Sequence, residues 1–140
     1  MPDIEGAAAC WGISMIHCPY CHGYEVHNEK TGILANGEMA FEFSKLILNW
    51  TKELTVFTNG KSAMTEEQTS KLKAHGIEVN EQEIEAFHHT NGYISEVHFR
   101  DGSSLNLKAM YAKLRFVQHS DLPEKLGCTL SEQGFIEVDP

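Results

Sequence analysis

The sequence predicts an α/β fold, a three-layer ββα sandwich in which helices cover one face of a parallel sheet and an antiparallel β-meander covers the other. Between residues 31 and 79, apolar runs alternate with helical segments in the order strand–helix–strand–helix–strand, which is typical of a parallel sheet. From residue 84 onward the hydrophobic period changes to two, and the turn dipeptides Asn91-Gly92 and Asp101-Gly102 separate the alternating runs. That second pattern indicates the meander.

The parallel half begins with residues 31–35, an apolar run that ends in Asn36-Gly37 and fits a buried strand feeding a tight turn. An amphipathic helix is predicted to follow, because apolar residues recur there at helical spacing. Residues 54–58 form a second buried strand, which Asn59-Gly60 ends. The predicted apolar stripe of the helix consists of Met39, Phe43, Leu46, Ile47 and Trp50.

A polar helix and a third strand complete the parallel half. Thr65 and Gln68 have the spacing of a capping box, which predicts a helix that runs to about His75. Gly76 ends that helix as its C-cap, and residues 77–79 form the third strand.

The remaining chain is predicted to contain the meander and a short closing strand. Residues 114–126, which contain Pro123, are predicted to be irregular, and residues 134–138 to be the final strand. The meander is predicted to comprise the alternating runs at residues 84–88, 93–99 and 105–111.

Composition and charge exclude several classes of protein. With 140 residues, of which 41% are hydrophobic and 22% charged, the chain fits one globular domain spanning residues 1–140. A formal net charge of −9 argues against nucleic-acid binding, which requires a basic face. No apolar run approaches the ~20 residues of a membrane span, and the acidic start lacks the positive region of a signal peptide. We therefore predict a cytoplasmic protein without a membrane segment.

The motif Cys18-Pro19-Tyr20-Cys21 predicts a redox-active dithiol. Two cysteines at this spacing lie on one helical turn, close enough to form a disulfide. A helix N-terminus and either His17 or His22 would lower a thiol pKa and favour the reactive thiolate. His22 is also a candidate proton donor and acceptor. The alternative is a pair of thiols that are simply buried in the core. The adjacent histidines argue against it, because Cys-x-x-Cys flanked by histidines is an uncommon way to fill a core.

A zinc site is the second alternative for these residues. Zinc requires four ligands in a tetrahedral array, and Cys10 and Cys128 do not form a second pair. We therefore predict no metal site, and we expect Cys10 and Cys128 to be buried free thiols. Cys-Pro-Tyr-Cys is also the glutaredoxin signature, but here Gly23 follows within two residues and a nucleotide-type βα unit comes next.

The turn between the first parallel strand and its helix matches the dinucleotide fingerprint G-x-G-x-x-G/A of Rossmann-like domains in two of three positions. Gly37 and Ala40 occupy the second and third positions, whereas Ala35 replaces the first glycine. A pyrophosphate would bind at the helix N-terminus, although an ordinary βα turn accounts for the pattern equally well. The candidate cofactor-binding residues here are Ala35, Asn36, Gly37, Glu38, Met39 and Ala40.

The end of the second strand indicates which nucleotide would bind. An acidic residue there would hold the 2′-hydroxyl of NAD, whereas this chain has Thr58, Asn59 and the base Lys61. This composition favours the 2′-phosphate of NADP(H), with NAD as a possible alternative. A solvated loop is the other reading of the same residues.

Residues 17–25, then a strand, then residues 35–40 together resemble the pyridine-nucleotide domain of low-molecular-weight thioredoxin reductases. The match is strongest with the branch that carries Cys-x-x-Cys-His-Gly-Tyr-Glu and includes thiol oxidases of dithiol natural products. The resemblance implies that NADPH reduces FAD and that FAD reduces the disulfide. It also implies that Cys21 faces the flavin, that Cys18 attacks the substrate disulfide and that His22 donates the proton.

In that family a split FAD domain flanks the nucleotide domain, and this chain has neither flanking piece. The resemblance therefore implies FAD only in a full-length protein, with the FAD domain and a disulfide substrate as partners and a homodimer as a possible assembly. We expect the isolated chain to be an excised domain that does not turn over. The alternative is a non-catalytic nucleotide- or protein-binding module whose thiols are incidental.

Overall fold

The computed structural model describes residues 2–114 and 119–138. Within these ranges the chain alternates helices and strands as far as residue 80 and then continues mainly in strands. In chain order the elements are α1 (Ala7–Cys10), β1 (Met15–Ile16), α2 (Pro19–His22), a 3₁₀ turn (Tyr24–Val26), β2 (Thr31–Leu34), α3 (Gly37–Ile47), β3 (Leu54–Phe57), α4 (Glu66–Ala74), β4 (Glu78–Asn80), β5 (Ile84–Thr90), β6 (Tyr93–Phe99), β7 (Ser104–Asn106), β8 (Ala109–Ala112) and α5 (Leu122–Lys125).

The strands form two sheets, and the predicted α/β class is confirmed. One sheet has five parallel strands in the order β1-β8-β2-β3-β4, and the other has three antiparallel strands in the order β5-β6-β7. The central strands β8, β2 and β3 are largely buried, as strands covered on both faces should be, whereas the edge strand β4 is partly exposed.

Two hydrophobic clusters, one on each face of the parallel sheet, hold the three layers together. Successive residues of a strand point to opposite faces, so Met110 of β8 packs toward the antiparallel sheet while Tyr111 packs toward the helices. Gly32 of β2 lies in the first cluster, where a Cβ atom would come within 2.7 Å of Phe57 and 2.8 Å of Met110. The missing side chain therefore allows these two large residues to meet across the sheet.

Helices α3 and α4 begin where local signals predict. Asn36 is the N-cap of α3, and the Thr65–Gln68 capping box that opens α4 is present in full. The predicted stripe of α3 is wrong at Met39, whose side chain is 51% exposed. The face that packs on the sheet runs through positions 40, 43, 44 and 47, which is the i, i+3, i+4, i+7 row of a helix, and residue 39 falls outside it.

The predicted run at residues 105–111 is not one meander strand. The meander ends with β7, and the chain then returns to the parallel sheet, where β8 is inserted between β1 and β2. All four residues of β8 are buried, which suits a central parallel strand and not a half-exposed meander strand.

The C-terminal predictions are confirmed only in part. Of residues 114–126, predicted to be irregular, 115–118 lie outside the described ranges and Leu122–Lys125 form the one-turn helix α5. The strand predicted at 134–138 is reduced to a single bridge between Leu130 and Ile136. None of the helices in the described ranges combines the length and the apolar character needed to cross a membrane.

Candidate active site

The predicted site residues gather along one edge of the parallel sheet, where the carboxyl ends of its strands lie. Cys18 follows β1, the turn at residues 35–40 follows β2, and Thr58 follows β3. Strand β8 lies between β1 and β2 and is followed by Lys113. Since neighbouring strands are about 4.8 Å apart, the dithiol and the β2–α3 turn are separated by roughly 10 Å, with Lys113 between them. Ligands of open α/β sheets bind at this edge.

The dithiol occupies one helical turn, as predicted. Cys18 is the extended N-cap of α2, and Pro19 holds the first helical position, where its missing N–H costs no hydrogen bond. The N–H groups of Cys21 and His22 donate to the Cys18 carbonyl oxygen at 3.3 and 3.2 Å. This turn brings two free thiols together, one partly buried and one exposed.

The two thiols differ in acidity because one donates a hydrogen bond to the other. The pKa of Cys18 lies below its ordinary value, chiefly because the Cys21 thiol donates to its sulfur, with help from the N–H groups of Cys21 and Tyr20 and from the Lys113 ammonium. The pKa of Cys21 is raised by the same hydrogen bond and by the charge on Cys18. Cys18 is therefore the more acidic thiol of the pair.

Lys113 is a site residue that the sequence analysis missed. It is the first charged residue after the wholly buried β8, and the strand order places it beside the end of β1. Its ammonium lies 5.5 Å from the centre of the Phe43 ring of α3, and its charge also lowers the pKa of Cys18.

The histidines beside the dithiol have other positions. His17 stacks on Trp11 with 6.0 Å between ring centroids, and His22 is exposed to solvent. The groups that lower the pKa of Cys18 are the Cys21 thiol, backbone N–H groups at the start of α2 and Lys113, and neither histidine ring is among them.

Helix α2 is seated on Trp50. A Cβ atom at Gly23 would lie 2.3 Å from the Pro19 carbonyl oxygen and 2.5 Å from Trp50 Nε1, so only glycine permits this approach. The Tyr20 ring meets the indole edge-on at 5.4 Å between centroids. Trp50 therefore supports the dithiol turn, whereas the sequence placed it on the apolar stripe of α3.

Beneath the dithiol, Tyr111 is fully buried, and its hydroxyl has no hydrogen-bond partner within the described part of the chain. Burial, followed by the charges of Cys18 and Glu25, raises the pKa of Tyr111 to about 12. The phenol is therefore neutral wherever the dithiol is chemically active.

The β2–α3 turn accepts Ala35 without strain. Within the described ranges, non-glycine residues with positive φ are Asn28, Asn59 and Asn91, so Ala35 occupies ordinary backbone space. The left-handed conformation falls on Gly37, with φ of 61°. Replacement of the first glycine of the fingerprint therefore leaves the shape of the turn intact.

Side chains at this turn mostly tie loops together. Asn36 Oδ1 accepts from the N–H groups of Gly37 and Ala63, and its Nδ2 donates to the Lys61 carbonyl oxygen at 3.0 Å. Glu38 accepts a hydrogen bond from Gln68 and thereby links α3 to α4.

The loop after β3 is held in the same way. The Thr58 hydroxyl donates to the Gly60 carbonyl oxygen at 2.6 Å, and Asn59 Oδ1 accepts from the Ile84 N–H at 2.7 Å. These two predicted cofactor contacts therefore have structural partners, and Lys61 is the exposed cation of the loop.

The groups near the β2–α3 turn that could hold a dinucleotide are backbone N–H groups at the start of α3 and the Lys61 ammonium. The N–H groups of Glu38 and Met39 open the first turn of α3 and have no intrahelical acceptor, so they would hold the pyrophosphate. Lys61 would hold the 2′-phosphate of NADP(H). Within residues 2–114 and 119–138, this is the one turn in which a left-handed glycine opens a helix of eight or more residues after a parallel strand.

Exposed aromatic side chains surround the dithiol. Tyr20 and Tyr24 are 76% and 79% exposed, and Trp11 is 36% exposed. We call these three residues the dithiol rim. Large exposed aromatic residues grouped beside a reactive centre are typical of a surface that another protein region covers.

The known proteins that resemble this chain include several named thioredoxin reductases. No protein-family model matches it. The thioredoxin reductase sirT of Leptosphaeria maculans is 30% identical, over an alignment that covers 100% of this chain and 47% of that protein.

Solved structures that resemble this chain also belong to oxidoreductases, including a thioredoxin reductase. An oxidoreductase from Agrobacterium tumefaciens is 32% identical with a TM-score of 0.85, and the match covers 100% of this chain and 47% of that one. TrxB from Bacillus anthracis is 27% identical with a TM-score of 0.88, with 99% and 46% covered. The chain thus spans about half the length of the proteins it matches. Its homologues and structural neighbours are thioredoxin-reductase-like oxidoreductases.

Proposed function

We propose that this chain is the NAD(P)H-binding, redox-dithiol domain of a flavin-dependent, thioredoxin-reductase-like disulfide oxidoreductase. The observation that carries the proposal is the hydrogen-bonded pair of free thiols on one helical turn, in which Cys18 is the more acidic thiol. The pair lies at the sheet edge where α/β proteins bind their ligands. The relatives named thioredoxin reductases support the same reaction class.

The dithiol would reduce a substrate disulfide in two exchange steps. The Cys18 thiolate attacks one substrate sulfur, the substrate S–S bond breaks, and the departing thiolate takes a proton. Cys21 then loses its proton and attacks the Cys18 sulfur of the mixed disulfide, which releases the second substrate thiol. The substrate gains two electrons and two protons, and Cys18 and Cys21 are left as a disulfide. His22, exposed and next to Cys21, would exchange protons with the departing thiolate.

FAD and NADP(H), when bound, supply the two electrons that return the disulfide to the dithiol. Within this chain, the start of α3 and Lys61 would bind the nucleotide. FAD would belong to the remainder of a full-length protein, whose flavin domain would cover the dithiol rim. We also propose that the isolated chain lacks turnover. A cytoplasmic location and a homodimer stay predictions from the sequence.

A redox titration of the 140-residue chain tests the proposal. We expect one reversible two-electron couple in the range of roughly −180 to −320 mV that cytosolic thiol systems span. The couple should disappear in Cys18→Ser and in Cys21→Ser. It should persist in Cys10→Ser, because that buried thiol takes no part in the pair.

Two outcomes would contradict the proposal. A chain without any couple in this range would be a binding module with incidental thiols. A couple that survives Cys18→Ser and disappears in Cys10→Ser or Cys128→Ser would place the redox pair elsewhere. Circular dichroism of each variant shows whether the fold is retained.

A further inference from the structure

The antiparallel sheet carries a second group of chemically active side chains on its outer face. His88 of β5 is directly opposite Glu96 of β6 in the strand register, and His98 lies two residues beyond Glu96. Residues two apart on a strand share a face, so the three side chains project together. The opposite face of the same strands is buried through Phe87 and Val97.

The three side chains are in contact. His98 Nε2 lies 2.8 Å from Glu96 Oε2, and the rings of His88 and His98 stack with 3.6 Å between centroids and 20° between planes. One ligand atom from each residue can be chosen so that all three lie within 4.8 Å of one another. Register, not sequence proximity, brings His88 into this group.

We propose that His88, Glu96 and His98 form a binding site for a divalent transition metal of the zinc class. Two imidazoles and one carboxylate are the donor set of open zinc sites, which leave the fourth position to water or another ligand. Tetrahedral bonds of about 2.1 Å place ligand atoms about 3.4 Å apart. Reaching this spacing would require His88 to approach by up to about 1.4 Å and the Glu96–His98 pair to open by about 0.6 Å, which small torsional changes achieve in exposed and half-buried side chains.

The stacked rings place a second imidazole beside the His98–Glu96 pair, and a small turn of one ring would aim a nitrogen of each at a single ion. A pair needs one ring, whereas here a second ring lies parallel to the first. Two protonated rings at this distance would repel each other. A bound cation instead uses both rings in the neutral form, and the Glu96 carboxylate offsets part of its charge. Packing of β5 and β6 against the core holds the three donors in place before binding, which lowers the ordering cost.

The chain used for the test should lack the competing dithiol, because thiolates bind the same metals. We would therefore titrate the Cys18→Ser/Cys21→Ser chain with Co²⁺ and Zn²⁺ by absorption and calorimetry. We expect one ion per chain and visible Co²⁺ bands without sulfur-to-metal charge transfer. His98→Ala and His88→Ala should each weaken binding at least tenfold.

Matched controls separate loss of ligands from loss of fold. His89→Ala removes a neighbouring exposed histidine whose ring accepts from the Gly92 N–H, and affinity should change less than twofold. Glu96→Gln keeps the size of the side chain, removes its charge and should also weaken binding at least tenfold. Affinity unchanged in both His98→Ala and Glu96→Gln, or no specific binding in the dithiol-free chain, would overturn the proposal.

Discussion

The two ends of the sheet's carboxyl edge use their polar groups in different ways. At the dithiol, the Cys21 thiol, backbone N–H groups and Lys113 all act on one sulfur atom. At the β2–α3 turn, the Asn36 side chain joins the turn to the loop after β3, and Thr58 holds that loop internally. At the dithiol, polar groups thus act on the Cys18 sulfur, whereas at the β2–α3 turn they fix the conformation of the backbone.

This difference indicates which parts of the chemistry belong to this chain alone. The acidity of Cys18 is produced by groups within the chain, so it should be measurable without a cofactor. Nucleotide affinity would depend on backbone shape and on Lys61. Because strand β8 separates the two ends and salt screens exposed charges, a substitution at one end should affect the other less than its own.

The largest expected effect comes from Gly23→Ala, which forces a Cβ atom against the Pro19 carbonyl oxygen and Trp50. Overpacking of this kind costs about 1–3 kcal/mol. Urea unfolding should show that loss, and α2 should shift enough to disturb the thiol pair while leaving the β2–α3 turn unaffected.

A double-mutant cycle with Trp50→Leu provides the control for this prediction. The cost of Gly23→Ala should be smaller in the Trp50→Leu background, because one of the two clashing groups is gone. Equal costs in both backgrounds would show that Trp50 does not seat the dithiol turn.

An intermediate effect is expected from Cys21→Ala, which removes the hydrogen-bond donor that lowers the Cys18 pKa. Alkylation requires the thiolate, so a lowered pKa keeps wild-type Cys18 reactive to lower pH. In Cys21→Ala the pH profile of Cys18 alkylation should shift to higher pH. The alkylation rate at pH 7 should fall by up to about tenfold for each unit by which the Cys18 pKa rises.

Cys21→Ser is the matched control, because a hydroxyl can still donate to the Cys18 sulfur. Its profile should lie between those of the wild type and Cys21→Ala. Coincident profiles for the alanine and serine variants would mean that the donor is not what makes Cys18 acidic.

The smallest effects come from a pair of identical charge removals at the two ends. Lys113→Gln should slow Cys18 alkylation about two- to threefold at low salt, because an exposed ammonium is strongly screened. Lys61→Gln should leave that rate unchanged and instead weaken NADPH binding in calorimetry. We expect NADPH to bind more tightly than NADH, since Lys61 would contact the 2′-phosphate.

The dithiol and the β2–α3 turn would not be separate sites if each lysine substitution affected the property assigned to the other. A Lys61→Gln chain with slower alkylation, or a Lys113→Gln chain with the larger loss of NADPH affinity, would show that the edge behaves as one site. Absence of binding by either nucleotide would exclude the nucleotide role of the turn.

Local signals made much of the fold predictable. The capping box of Thr65 and Gln68, the tight turn at Asn36-Gly37 and the turn at Asn91-Gly92 each depend on residues a few positions apart, so neighbouring sequence is enough to predict them. Met39 was wrongly predicted to lie on the buried face of α3, because hydrophobicity alone does not show which face of a helix packs on the sheet.

Part of the candidate site was beyond sequence-based prediction because strand order is non-local. Lys113 lies beside Cys18 only because β8 is inserted next to β1 after a long excursion through the meander. His88 meets His98 only through the register of β5 and β6. A period-two pattern shows which residues share a face and leaves the opposing residues undetermined.

The sequence by itself determined the thiol pair on one helical turn and the alternation of strands and helices, because the spacing of neighbouring residues governs both. Only the tertiary structure decided which cation acts on Cys18, how Trp50 supports α2 and which side chains meet on the outer sheet. These depend on contacts between distant segments, whose pairing is selected by burial of the whole core and not by any local pattern.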